Sequence, residues 1–537
     1  MAHRFVILSG PICGGKTALA AGLSERFGAK VFKTKTFIQE RFKDDSADRG
    51  ELQNHGDLLD ERTKGKWVLD GVSRFTKGVS EDDIVLIDSV RIKAQVEHIR
   101  RAYGPRVVHI HVTADESTLR KRFKKRKRNA DRATTYDQAR GNATEAQVGV
   151  LKAAADVVVY TDRCTAEDVV VRAASHLGLF ERGRSRLVDV VVGGQYGSEG
   201  KGHVCSYLAP EYQVLVRVGG PNAGHKVFRH PEPFTHRLLP SGTRFGSADL
   251  VIGAGAVIDI DTLLEEIADC EVPADRLIVD EQAMIIEKVD LRSEARLEKD
   301  IGSTRRGVGA ATARRIMGRG ASSGARRVRL AKDVPELRPF IGSACSSLED
   351  ALRDGKKILL EGTQGTGLSI FHGSYPHVTS RDTSVAGCLA EAGVAPSRVR
   401  RVVLVCRSYP IRVKSPEGSS SGPMSQDVSW AEISRRSGIS VRQLTKNEKG
   451  SVSGKQRRVA EFDWALLRKS ASLNGPTDVA ITFADYLSES NTEARRLEQL
   501  TDETLRFIQE VERVAAAPVS LVSTRFHWRS FIDRRAW

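Results

Sequence analysis

Twice in this chain an apolar strand runs straight into a glycine-rich turn of the kind that wraps phosphate. RFVILSG leads into PICGGKT at 4–17, and LVDVVVGG leads into QYGSEGKG at 187–202. Such a turn exposes backbone N–H groups and hands the chain to a helix whose N-terminus faces the anion, so each occurrence commits its surroundings to layered α/β structure. Strand-like runs continue through the first half as KVFKT, WVLDG, DIVLIDS, RVVHIHV and DVVVYT, and through the second as YQVLVRVGG, DLVIGAGAVI, RLIVDE, KILLEG, RRVVLVCRSYPIRV and DVAITFADYL. The fold class predicted is α/β: two phosphate-loop domains, each a mainly parallel sheet with flanking helices. The polar stretch ERGRSR at 181–186 serves as linker, which places the domains at 1–185 and 186–537. The segment GSSSGPMSQ at 418–426 reads as a mobile surface loop.

With 40% hydrophobic and 28% charged residues, the chain has the profile of a water-soluble protein. No apolar run approaches the roughly 18 residues that cross a bilayer, and the phosphate loop begins too early to leave a cleavable leader, so the expectation is a cytoplasmic protein without a membrane partner. Seven scattered cysteines form no CxxC pair and read as reduced thiols, not a zinc site. A net charge of +16 suits nucleic acid, nucleotides and carboxylates alike. Much of it sits in RKRFKKRKR at 120–128, where a nucleic-acid partner is the less favoured reading.

In the first domain Gly10, Gly14, Gly15, Lys16 and Thr17 satisfy GxxxxGK[ST] between a strand and a helix. Lys16 is expected to reach the β/γ phosphates and Thr17 to ligate magnesium, with Asp88 at the end of DIVLIDS completing the metal shell. Around this loop the domain resembles nucleoside monophosphate kinases. The resemblance implies Arg41 and 49–61 on the acceptor side, Arg122, Arg126 and Arg132 as lid arginines that stabilise a transferring phosphoryl group, and a second, kinase activity.

The second domain holds a series of turns built from small residues: GGQYGSEGKG at 193–202, VRVGGPNAGH at 216–225, IGSTRRGVG at 301–309, EGTQGTG at 361–367, SYPHVTS at 374–380 and SVSGKQRRV at 451–459. Each exposes backbone donors beside a few polar side chains, which suits a site that binds several anions together. In this order, across 187–537, they resemble the adenylosuccinate synthetases. The resemblance implies an NTP-dependent ligase that moves a γ-phosphoryl group to purine O6 and lets the aspartate amine displace it. By motif, Gly197, Glu199, Gly200, Lys201 and Gly202 would hold the NTP phosphates, and the Gly224 carbonyl would bind magnesium. His225 matches the general acid, with Lys201 and Gln364 beside it. Asn222, Thr304, Gln364 and Thr379 fall on purine-nucleotide positions. An arginine near Arg326 or Arg327 would reach the 5′-phosphate from a partner subunit, which implies a homodimer. Ser453, Lys455 and Arg457, with Arg458, stand in the aspartate loop, and Asp485 reads the NTP base.

Several residues depart from that pattern. Ser198 stands where the family's GDEGKG carries the aspartate that takes the N1 proton and binds magnesium. Serine is no base at neutral pH, but its small neutral side chain leaves room beside C2 for an exocyclic amine. The viral 2-aminoadenylosuccinate branch, which acts on dGMP, lacks the same aspartate. A guanine nucleotide, dGMP first, is therefore favoured over IMP, giving N6-succinyl-2-amino-dAMP. Phe483 within TFAD replaces a lysine, Lys455 replaces an arginine that would grip carboxylate as a fork, and Arg525 within STRF stands near the base pocket. These changes leave ATP and GTP both open as donor. They also leave open an IMP-using synthetase and, in another class, a nucleotide sensor or defence component without turnover.

Overall fold

The structure is a computed structural model that describes the chain except for residues 1–3, 43–48, 126–134, 141–142, 181–184, 229–231, 321–326 and 449–455. Two compact units divide it, Met1–Arg182 and Gly183–Trp537.

The first unit is built on five parallel strands: β1 Arg4–Ser9, β2 Lys30–Lys33, β3 Ile84–Asp88, β4 Val107–Thr113 and β5 Val157–Tyr160, in the order β2-β3-β1-β4-β5. Because successive side chains of a strand point to opposite faces, β1 feeds two cores. Val6 and Leu8 pack with Leu19, Leu23 and Ile110 on one face, and Phe5 and Ile7 pack with Phe32, Trp67 and Val72 on the other. WVLDG, predicted as a strand, is instead the start of a helix, Trp67–Phe75. Its buried residues Trp67, Val68, Gly71 and Val72 recur at the helical spacing, a stripe too short to be recognised from five residues.

The second unit carries a ten-stranded sheet. Its order is Ile341–Gly342, Leu277–Asp280, Asp249–Ile252, Val214–Arg217, Ile358–Glu361, Val188–Gly193, Val399–Arg407, Asp478–Thr482, Val519–Ser523 and Phe531–Asp533. Every neighbouring pair is parallel except the last. Val188, Val190 and Val192 enter one core and Val191 the other, the pattern of a strand covered on both faces. Parallel strands end on the same side, so the turns after Gly193, Arg217, Glu361, Arg407 and Thr482 emerge together at one edge. Among the described residues no helix is long and apolar enough to cross a membrane.

Candidate active site

In the first unit Gly10 adopts a φ of +144°, and a Cβ there would sit 2.0 Å from the Val112 carbonyl oxygen, so only glycine lets the loop leave β1 this close to β4. The loop ends at Gly15, which caps the helix α1, Lys16–Phe27. Lys16 Nζ folds back to donate to the carbonyls of Gly10, at 2.5 Å, and Pro11, at 3.1 Å. Thr17 lies in the first turn of α1. Asp88 ends β3, the neighbour of β1, with Ser89 Oγ donating to its carboxylate at 3.1 Å. Arg122 does not swing free: it donates to Thr161 Oγ1 at 2.7 Å, the Thr161 carbonyl at 2.8 Å and the Cys13 carbonyl at 3.3 Å, against the back of the phosphate loop. Arg41 is exposed near the end of its helix. Arg126 and Arg132 lie outside the described residues.

In the second unit a cavity of about 600 Å³ opens at the sheet's C-terminal edge. Gly197, Ser198, Asn222, Gly224, His225, Thr304, Gln364, Thr379 and Arg457 all line it. Ser198 sits there in the left-handed backbone region, at φ +59°, with its side chain exposed. Gln364, at φ +57°, donates from Nε2 to Asn222 Oδ1 at 3.1 Å and accepts from Thr363 Oγ1 at 2.8 Å, so its amide is oriented by protein groups.

His225 is buried against a carboxylate and a guanidinium that the sequence reading missed. Its Nδ1 meets Glu361 Oε1 in a very short contact, and Arg217 Nη1 lies 2.5 Å from the same oxygen and 2.7 Å from Nδ1. The Ser241 hydroxyl and backbone N–H also donate to Glu361, at 2.5 and 2.7 Å. Burial opposes charge on Glu361, yet Arg217 and His225 hold its carboxyl well below the usual range. Burial, followed by Arg217, brings the His225 pKa down to about 4. The imidazole is therefore neutral at pH 7, with Nδ1–H on Glu361 and the Nε2 lone pair left free.

Other motif residues are placed differently. Glu199 is fully buried: Oε1 accepts from the N–H groups of Gly197, at 2.8 Å, and Gln195, at 3.1 Å, and Oε2 accepts from Lys201 Nζ at 2.6 Å. Its carboxylate thus shapes the loop from within, and a Cβ at Gly365 would lie 2.2 Å from it. Lys201, 2% exposed, does not line the cavity, because a buried ammonium stays with its carboxylate. Gly200 caps the helix Lys201–Leu208, and Gly202 packs on His225. Asp485 is half-buried outside that cavity, its carboxyl pushed up to about 7 by burial. Arg327 is exposed and away from the cavity, and Arg525 is paired with Glu493. Arg326, Ser453 and Lys455 lie outside the described residues. Most residues of the 418–426 segment are exposed, as expected of a surface loop, but Ser421 and Gly422 are buried, Arg458 donates to the Gly422 carbonyl at 2.8 Å, and Ser421 lines the cavity. None of the seven cysteines is in a disulfide, and among the described residues no group of three His, Cys, Asp or Glu side chains could hold a metal.

Phosphate-type turns gathered over one cavity at the edge of a parallel sheet define a nucleotide-handling α/β enzyme. Residues 190–333 and 323–492 match the family model for adenylosuccinate synthetase, and residues 6–147 match an AAA domain model. The adenylosuccinate synthetase of Methanococcus aeolicus is 37% identical over 354 residues, covering 64% of this chain and 99% of the relative. That of Thermococcus onnurineus is 38% identical over 355 residues, covering 64% and 98%. Among solved structures, succinoaminodeoxyadenylate synthetase of cyanophage S-2L, bound to dGMP and to dATP as an energy donor, superposes with a TM-score of 0.55 at 28% identity, covering 66% of this chain and 97% of that one. The fully ligated adenylosuccinate synthetase of Plasmodium falciparum has a TM-score of 0.56 at 21% identity, covering 65% and 100%, which speaks for the fold. The chain belongs to the adenylosuccinate synthetase family, as a ligase of purine biosynthesis that carries an additional phosphate-loop domain before the family match.

Proposed function

We propose that the second unit condenses L-aspartate with a 6-oxopurine nucleoside monophosphate, dGMP first, to give N6-succinyl-2-amino-dAMP. The γ-phosphoryl group passes from ATP or GTP to purine O6 as the N1 proton passes to solvent at the exposed Ser198 side of the cavity. The aspartate amine then bonds to C6, loses a proton, and inorganic phosphate departs with O6. The observation that carries this reading is Ser198. It lines the cavity with Gly224 and His225, and among the described residues no carboxylate there is placed to take the vacated role. The described carboxylates lining the cavity are Glu294 and Asp300. Glu294 is spent on the N–H groups of Gly307 and Gly309, both at 2.7 Å, and Asp300 is exposed, 3.7 Å from Arg296. A guanine C2 amine thus finds a hydroxyl where a carboxylate would crowd it. The likeness to the phage enzyme supports the same choice.

In this reading backbone N–H groups of 194–202 receive the donor phosphates, and Lys201 stabilises that turn through Glu199. His225 offers Nε2 to the transferring phosphoryl group, whose charge favours the protonated ring. Gln364 and Asn222 orient the base, and Thr304 and Thr379 the 5′-phosphate. Arg457, with Ser453 and Lys455, takes the aspartate carboxylates, and Asp485 the donor base. The Gly224 carbonyl and the Ser198 hydroxyl, both at the cavity wall, would hold a magnesium ion, which would supply neutralisation of phosphate charge. Lys16, Thr17 and Asp88 serve a second nucleotide in the first unit, where we place kinase activity on a related monophosphate. We assign the protein to the cytoplasm, a reading that small charged substrates support, and Arg327 to a partner subunit's 5′-phosphate in a homodimer.

The test is phosphate release and product mass with aspartate, ATP or GTP, and each of IMP, dIMP, GMP and dGMP. Succinylated product from dGMP is expected. Product from IMP alone selects the ordinary synthetase instead, and tight binding without phosphate release under any combination selects a sensor.

A further inference from the structure

Beneath the phosphate turn lies a buried ion pair that no motif contains. Arg407, at the end of Val399–Arg407, has no exposed surface, and Glu448, just past the helix Val441–Asn447, is 2% exposed. Arg407 Nη2 donates to Glu448 Oε1 at 2.7 Å and Nη1 to Oε2 at 3.3 Å. The same guanidinium reaches two further segments. Nη1 donates to the Ser198 carbonyl at 3.4 Å, and the carbon centre lies 3.9 Å from the centroid of the Phe483 ring. Glu448 in turn accepts from Tyr486 at 2.9 Å and lies 3.7 Å from Nη1 of Arg457, which lines the cavity. Its carbonyl accepts from the Arg457 N–H and from Gln456 Nε2, both at 3.3 Å.

Two charges taken out of water gain little stability over a well-packed apolar pair, whereas a bidentate pair with satisfied lone pairs fixes direction. What this pair fixes is the phosphate turn through Ser198, the donor-base segment through Phe483 and Tyr486, and the root of the aspartate loop through Glu448. We infer that Arg407 and Glu448 are positioning residues that couple the amino-acid subsite to the donor subsite. The inference rests on the ligase reading above. Neither residue touches substrate. Phosphate bound to the 194–202 turn fixes the Ser198 carbonyl and with it Arg407, Arg407 holds Glu448, and Glu448 presents Arg457 to the incoming dicarboxylate. Donor binding then lowers the ordering cost of aspartate binding, and by linkage the reverse also holds.

The experiment uses the full chain as wild type, Arg407→Met, Glu448→Gln, the double variant and Arg407→Lys, with thermal melting as the check on folding. In the wild type the KM for aspartate falls as donor concentration rises. In Arg407→Met and in Glu448→Gln that dependence is lost and the aspartate KM at saturating donor rises roughly tenfold or more, while the KM for the purine nucleotide moves less than about threefold. The double variant is no worse than the worse single, because both cut the same link. Arg407→Lys keeps the charge but not the fork or the stacked plane, so it recovers part of the loss. An aspartate KM indifferent to donor in the wild type overturns the inference. So do three KM values that rise together in a variant that melts like wild type. If Arg407→Met fails to fold, Arg407→Lys decides, and an unchanged aspartate KM there overturns the link. A wild type that forms no product from any nucleotide sinks the ligase reading instead. Calorimetric titration with AMP-PNP and GMP-PNP then judges the pair by itself: Arg407→Lys binding both analogues as tightly as wild type overturns its hold on the donor turn.

Discussion

Replacing Ser198 by aspartate should turn the nucleotide preference of the ligase from guanine toward hypoxanthine. The position tolerates the change: at φ +59° aspartate is more at home than serine, and the backbone carbonyl stays with Arg407. Stability should therefore move by no more than about 0.5 kcal/mol. The new carboxylate enters the cavity beside Gly224 and His225, where the two resident carboxylates are engaged elsewhere or lie at an exposed edge. A positioned general base is worth about 10²–10⁴ in rate, or about 3–5 kcal/mol, and IMP, which has no C2 amine, should collect it. For dGMP the same group crowds the C2 amine, at a cost of about 1–3 kcal/mol for overpacking. Together these shift the ratio of kcat/KM for IMP over dGMP by at least roughly 500-fold. The assay is initial-rate phosphate release with each nucleotide, accompanied by product mass. A variant that melts like wild type, still uses dGMP at the original rate and still ignores IMP would refute the argument from Ser198.

Glu361→Gln removes the charge on which Arg217, His225 and Ser241 converge, so ligase kcat should fall by roughly 10²–10⁴ while the KM for the purine nucleotide changes little; a variant with unchanged kcat contradicts the placement of His225. Lys16→Met should abolish nucleotide binding by the first unit, read with a fluorescent ATP analogue, and leave ligase turnover as it was; loss of both would show that the two sites do not act separately. Burial holds His203, His225 and His236 of the second unit down to about 3, 4 and 3. Because these rings are neutral when folded and protonate on unfolding, their contribution is complete above about pH 6.5 and is lost as pH falls toward the folded values. At roughly 1.4 kcal/mol per pH unit each, urea unfolding of this unit near pH 5 should weaken by about 4 kcal/mol per unit, and a flat profile from pH 6.5 to 5 would refute it.

The phosphate turns were legible because their chemistry is local: glycines, a lysine and a following helix must be consecutive in sequence to work. The α/β class was legible too, since runs such as LVDVVVG and KILLEG can be buried on both faces only in a covered parallel sheet. WVLDG was misread because four apolar or small residues in five fit either period, and only the packing of Trp67, Val68 and Val72 against the sheet decides between them. Arg217 and Glu361 stand at the start of two of the glycine-rich turns, 216–225 and 361–367, but nothing in either turn says that they meet, and Arg407 and Glu448 fall in none of the turns. Arg217 and Glu361 are 144 residues apart, and Arg407 and Glu448 are 41 apart. Each pair exists because parallel strands and their following segments deliver both partners to the same sheet edge, where a lone buried charge would be untenable. Each residue taken singly is just an Arg or a Glu beside apolar neighbours. The groups that meet solvent in the cavity are thus marked by sequence context, whereas those that orient them are marked only by the partner the fold brings. This asymmetry explains why Lys201 and Glu199, though at the heart of a motif, face each other inside the protein: a motif fixes which residues are present, and burial decides which of them can meet a ligand.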